Sequence, residues 1–185
     1  KLNGGNIMNF NKVIAERRSV RKYDKDKKIE KSAVEELIKA ANLAPSWKNK
    51  QTSRYHVVMS ENKRAILKKC MHERNAMNVE DAPVLVITTF VKDIAGFNRD
   101  KVPDNELGNG WGLYDLGLHN EIFVLKAKEM GFDTLIMGLR DADAIRKEFE
   151  IPEEEVIVSI IGLGVGKEDS KMPPRKNVEE ISKFY

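Results

Sequence analysis

A chain of 185 residues is long enough for one domain with a proper core. With 33% charged and 41% apolar residues it reads as soluble and globular, and a net charge of +3, from 32 basic against 29 acidic residues, is a near-balanced surface rather than the basic excess of a nucleic-acid binder. No apolar run approaches the roughly 20 residues that cross a bilayer, and the single cysteine, Cys70, excludes an intrachain disulfide and fits a reducing cytoplasm.

Residues 1–7 (KLNGGNI), polar and glycine-containing, read as an appended or untranslated-site remnant ahead of Met8, and no signal peptide pattern is present. Residues 8–185 are then expected to form a single domain. Apolar residues at 10, 13 and 14 predict a short helix that delivers Arg17, Arg18, Ser19 and Arg21 at its C-terminal end. Three guanidiniums and a hydroxyl in five residues can hold a phosphate, a nucleic-acid backbone or an acidic patch of a partner. Ser32 and Glu35 read as a capping box, followed by the stripe Val34, Leu37, Ile38, Ala41, with Pro45 as the stop. Residues 54–59 predict a strand, and 61–70 a short helix with Ala65, Ile66 and Leu67 as its apolar side. Residues 75–80 read as polar linker. The run APVLVITTFV at 82–91 predicts a strand buried on both faces.

Residues 93–112 are irregular, with four glycines, Phe97 and Trp111, and suit either a lid or a variable surface insertion. Residues 115–130 predict a long buried helix with Gly131 as its C-terminal glycine. A strand at 133–139, a helix capped by Asp141 and a buried strand at 156–163 complete an α+β chain around a four- or five-stranded sheet. The two long helices carry more apolar surface than so small a sheet covers, which predicts a dimer whose interface uses the 115–130 helix.

The chemistry is narrowed by elimination. There is no Gly-x-Ser-x-Gly elbow and no His-Glu-x-x-His. His119 reads as a satisfied core histidine, and Cys70 with His72 as surface-helix residues rather than a metal site. Gly162, Gly164 and Gly166 follow a strand, but no helix comes after them, so a dinucleotide fingerprint fails its context. Ser46, Asn49 and Gln51, between a helix stop and a strand, offer groups that both donate and accept. They suit a flat heteroaromatic ring, or an ordinary polar loop.

Taken together, the Arg17-Arg18-Ser19-Val20-Arg21 cluster, the helix ending in Ala44-Pro45-Ser46, and Asn49-x-Gln51 before a Tyr-x-Val-Val strand resemble the FMN-dependent nitroreductase family. Met130-Gly131-Phe132, Ile136-Met137-Gly138 and Ile160-Ile161-Gly162 keep that family's order over nearly all of the chain from Met8. The resemblance implies a nitroreductase-like α+β fold: a central mixed or antiparallel sheet of four to five strands flanked by helices, in a domain-entwined homodimer with FMN at the subunit interface. It implies phosphate and ribityl contacts from Arg17 and Ser19 with Arg18 as helper, and Arg21 near the N1/O2 edge of the ring. Pro45, Ser46 and Asn49, with Gln51 beside them, would reach the flavin of the other subunit. Met137 and Gly138 would present a backbone N–H to N5, and Arg175, with Lys176, would close on the phosphate.

The implied activity is a cytoplasmic NAD(P)H oxidoreductase, fed by NADH or NADPH. It would pass hydride through flavin N5 by a ping-pong scheme to a small electron-poor acceptor such as a nitroaromatic or quinone. No catalytic side chain, metal, nucleic acid or membrane is called for. The alternative is a non-catalytic flavin-binding or regulatory protein. Two departures bear on the substrate: Thr52-Ser53 stand where the family often has Pro-Trp, and residues 93–112 match no family pattern.

Overall fold

The computed structural model describes residues 9–168 and 170–185. The remnant expected at residues 1–7 lies outside them. In order the chain forms α1 (Phe10–Glu16), α2 (Lys31–Ala41), a 3-10 turn (Trp47–Asn49), β1 (Ser53–Val58), α3 (Glu61–Lys69), α4 (Glu73–Asn78), β2 (Val84–Val91), α5 (Gly110–Glu129), β3 (Asp133–Met137), α6 (Ala142–Phe149), β4 (Glu155–Gly164) and α7 (Val178–Ile181).

The four strands make one sheet in the order β1-β2-β4-β3, every neighbouring pair antiparallel. A parallel bridge from Ser19 to Thr134 adds a short fifth element outside β3. This is the expected α+β, four- to five-stranded arrangement. β2 is buried on both faces, as its apolar run predicted. Leu85 and Ile87 join a core with Leu67, Ile145 and Ile160 under α3 and α6. Val84 and Val86 join a second core with Leu37, Phe123 and Ala127 under α2 and α5. Each fully buried aliphatic or aromatic side chain contributes about 1.5–3 kcal/mol. Loss of alternate-face exposure is therefore what commits β2 to the middle of the sheet.

Local readings shift where tertiary contacts compete with them. The Ser32–Glu35 capping box does not form, because Glu30 already closes the first turn: its carbonyl accepts from Ala33 N–H (3.0 Å), which places Ser32 inside α2. That helix ends at Ala41, before Pro45 can act as its stop. The supposed linker at 75–80 is largely α4, capped by the His72 ring and packed through Ala76 onto the core. Cys70, expected on a surface helix, is 8% exposed at the end of α3, and burial pushes its thiol up.

The long helix begins at Gly110, five residues before its expected start, so the irregular stretch ends at Asn109. Gly112 makes this possible. A Cβ there would meet Phe90 Cδ2 at 2.4 Å, and only a bare backbone lets the first turn of α5 lie on β2. At the other end Gly131 takes φ 82° and closes the helix as the sequence predicts.

Candidate functional site

The basic cluster leaves α1 at Arg17 and runs along the outer edge of β3. Val20 N–H donates to the Thr134 carbonyl (3.0 Å), and the buried Tyr23 hydroxyl donates to the Val20 carbonyl (2.9 Å). The backbone is thus pinned from both sides while its side chains diverge. Arg18 donates to its neighbour's carbonyl, Arg17 O (2.7 Å), and Arg21 to Ser19 O (3.1 Å). Among the described residues, neither the Arg17 guanidinium nor the Ser19 hydroxyl has a hydrogen-bond or ion-pair partner. Two strong donors therefore stand unengaged on a fixed backbone, the arrangement that receives an anionic oxygen at low reorganisation cost.

β3 leads from this cluster to Met137 and Gly138. Met137 is buried, whereas Gly138 is exposed and a Cβ built on it would meet nothing within 4 Å. Arg140 donates to the Gly138 carbonyl (2.9 Å) and also to the Ile157 carbonyl, which fixes the peptide at the strand end. The space over Gly138 is open, and its backbone is held.

The loop at 45–51 is built differently. Lys48, Asn49 and Gln51 sit at φ 46°, 55° and 50°, three left-handed non-glycine residues within four positions. Each such residue costs about 1–3 kcal/mol and persists only where its surroundings over-determine it. They do so here. Ser46 Oγ accepts from Gln51 N–H (3.1 Å), and Asp115 Oδ2 accepts from Trp47 N–H (2.9 Å). Lys48 pairs with Asp104 (2.8 Å), and the Trp47 and Trp111 rings lie 4.4 Å apart. Asp115 is 2% exposed; burial raises its carboxyl above the ordinary value, against the hydrogen bond from the Trp47 N–H. The loop is thereby clasped to α5 and to the 93–109 segment.

These two halves do not meet within one chain. Thr52 bonds to Val91, which is level with Glu155 on β4, whereas Ser19 lies beside Thr134, level with Leu163. That is about 26 Å along the strands and, across four strand spacings, about 19 Å sideways. The 45–51 loop and the 17–21 cluster occupy opposite corners of the sheet. Arg175 and Lys176 are on the exposed tail, and Arg175 donates to the carbonyls of Pro173 and Pro174. The tail meets the cluster earlier, where Ser170 Oγ donates to Ser19 O (3.4 Å) and Lys167 N–H to Lys22 O (3.0 Å).

A groove of about 790 Å3 runs along β1 between α2 and α6 and is lined by His56, Met59, Lys63 and Phe149. The buried acid that His56 holds, Glu155, is accounted for structurally. Burial alone would raise the Glu155 carboxyl, but hydrogen bonds from Thr89 and His56 and the nearby Arg54 charge outweigh it and hold the carboxyl below its ordinary value. A depressed carboxylate stabilises the fold above its unfolded pKa, near 4.3, and that contribution is lost as pH falls through the folded value. Glu155→Gln is accordingly expected to flatten the loss of stability below about pH 4.3, measured as urea midpoints across that range. Equal acid sensitivity in both proteins would show that the pair adds no pH-linked stability. His119 is a core residue, its ring Nδ1 2.8 Å from the Asp115 carbonyl.

Several participants have no signature in the sequence. Trp47 and Trp111, and Lys48 and Asp104, are joined only by the fold, and Arg140 carries no motif. The one local signal was the aromatic content of the 93–112 stretch.

With this geometry in place, three comparisons bear on it. The model of the nitroreductase family matches residues 14–80 and 68–165. A Methanothermobacter thermautotrophicus protein, provisionally named NADH dehydrogenase/NAD(P)H nitroreductase, is 29% identical over 168 residues, covering 88% of this chain and 80% of its own length. A chain from Exiguobacterium sibiricum, solved in complex with FMN, superposes with a TM-score of 0.85 at 23% identity over 98% of this chain and 99% of its own. A nitroreductase family protein from Streptococcus pneumoniae gives 0.85 at 22% identity over 96% and 100%.

Proposed function

Because the chain belongs to the nitroreductase family, we propose that it is an FMN-dependent oxidoreductase that draws electrons from NADH or NADPH and passes them to a small electron-poor acceptor such as a nitroaromatic or quinone. One observation carries the reading. The unengaged Arg17 guanidinium and Ser19 hydroxyl stand beside β3, the strand that leads to the open Gly138. Bound there, FMN supplies the two-electron hydride exchange between donor and acceptor.

The side chains have divided roles. Arg17 and Ser19 hold the phosphate and ribityl end, with Arg18 and the late basic pair Arg175 and Lys176 adding positive potential. Arg21 sits toward the ring, where positive charge favours the anionic N1–C2=O edge. The Gly138 N–H, which follows Met137 and lies one peptide before the carbonyl that Arg140 holds, would be offered to the ring, and the missing side chain would admit it. Pro45, Ser46, Asn49 and Gln51 lie too far across the sheet to share a mononucleotide with Arg17 of their own chain. They serve the flavin of a second copy, which makes the working unit a homodimer.

The test is the visible spectrum of the purified protein before and after anaerobic NADPH or NADH. A flavin band that bleaches with the reductant and returns with a quinone is the expected result. A protein that stays colourless after incubation with FMN excludes the reading, and a yellow protein that neither nicotinamide bleaches is a flavin-binding module instead.

A further inference from the structure

Beside the strained loop, the 93–109 segment folds a second feature that the flavin contacts do not use. Lys48, Lys50, Arg99 and Lys101 line one open pocket of about 430 Å3, floored by Ile94 and Phe97. Four cations converge on it in a chain whose net charge is only +3. Three acids stand nearby: Asp93, which also lines the pocket, Asp100 and Asp104. Asp93 accepts from Asn109 Nδ2 (2.8 Å), and Asp104 is taken up by Lys48 (2.8 Å). Asp100 stands on the same turn, where its N–H donates to Asn98 Oδ1. Among the described residues, Lys50, Arg99 and Lys101 form no ion pair.

The tip that carries Arg99 and Lys101 is set by its own bonds. Asn98 Oδ1 accepts from the N–H groups of Asp100 and Val102, both at 2.9 Å, and Lys101 is held at φ 58°. Lys48 and Lys50 flank Asn49 on the loop assigned above to the flavin ring of the partner. The pocket therefore opens next to the place where a nicotinamide would stack, with an apolar floor and a rim of free positive charge. A dinucleotide whose nicotinamide lies on the ring carries its phosphates and adenosine away from it, into such a rim.

Resting on the flavin reading, we propose that this pocket receives the phosphate-bearing adenosine end of the nicotinamide donor and makes NADPH, through its 2′-phosphate, the preferred substrate over NADH. Both donors carry the pyrophosphate. Only NADPH adds a further dianion to engage three unpaired cations, and a guanidinium fork such as that of Arg99 matches phosphate oxygens in pairs.

The experiment is calorimetric titration of the protein with adenosine 2′,5′-bisphosphate and with 5′-AMP, for the native chain and for Arg99→Glu/Lys101→Glu. The native chain is expected to bind the bisphosphate more tightly than AMP, and the double variant to lose on the order of tenfold in bisphosphate affinity. In turnover, KM for NADPH is expected to rise by a similar factor with kcat held, and KM for NADH to rise less. Arg99→Gln, a milder change to an exposed side chain, moves both readouts the same way. Equal affinity for the two nucleotides, or bisphosphate binding that is indifferent to the variants, overturns the proposal. The titration needs no flavin. A colourless protein that still binds the bisphosphate through Arg99 and Lys101 therefore counts against the flavin reading and not against the pocket.

Discussion

Arg17→Ala lowers FMN affinity by about 10- to 100-fold: this is the largest functional effect expected of any single side chain here. A hydrogen bond to a charged group is worth about 1.5–3 kcal/mol, and each 1.4 kcal/mol is tenfold in a binding constant. The expectation rests on the contrast between Arg17 and Arg18. The guanidinium of Arg18 already donates to the Arg17 carbonyl, so Arg18→Ala removes a backbone brace and leaves the free donor in place. Titration of apoprotein with FMN, followed by quenching of flavin fluorescence, separates the two. Equal and small losses in both variants would mean that the phosphate is held elsewhere, with the Arg175 tail as the next place to look.

Phe123→Ala carries the largest effect on stability. The ring is fully buried in the core between the sheet and the α2–α5 pair, and it stacks on Tyr55 with centroids 5.7 Å apart. Removing a buried phenyl ring costs about 3–5 kcal/mol, through lost burial and the cavity left behind. For a chain of this length that lowers Tm by on the order of 10 °C. Thermal unfolding followed by circular dichroism measures it. A shift of less than about 3 °C would show that α5 slides in to fill the space, and that this core is looser than its burial implies. Because α5 also carries Asp115 and Trp111, the same variant is expected to loosen the 45–51 loop.

The two expected effects differ in how they could be foreseen. Arg17 and Ser19 were legible because phosphate recognition needs particular donors within a few residues of one another, and such a cluster is visible in one dimension. Phe123 was legible because a helix buried along most of its length leaves little polar face. The loop at 45–51 was legible as chemistry, through Ser46, Asn49 and Gln51, but not as geometry. Nothing in those letters says that Lys48, Asn49 and Gln51 are left-handed, since each is an ordinary residue whose cost is met by contacts with Asp115, Asp104 and Trp111.

The local misreadings have one cause. The Ser32–Glu35 box, the Pro45 stop and the 75–80 linker were inferred from neighbours a few residues away, and in each case a longer-range contact or a competing turn decided otherwise. Glu30 closes the first turn of α2 before Ser32 can, and Ala76 gains from packing on the core enough to make α4 of a polar stretch.

The sequence by itself determined the α+β order, the doubly buried strand β2, the basic cluster and the family resemblance, because periodicity and short motifs are local properties of a chain. Only the tertiary structure decided which of these meet. It set the 17–21 cluster and the 45–51 loop at opposite corners of the sheet, left Arg17 and Ser19 unengaged, and gathered Lys48, Lys50, Arg99 and Lys101 around one pocket. The physical reason is that strand pairing and side-chain packing bring together residues far apart in the chain, and no local pattern encodes the partner.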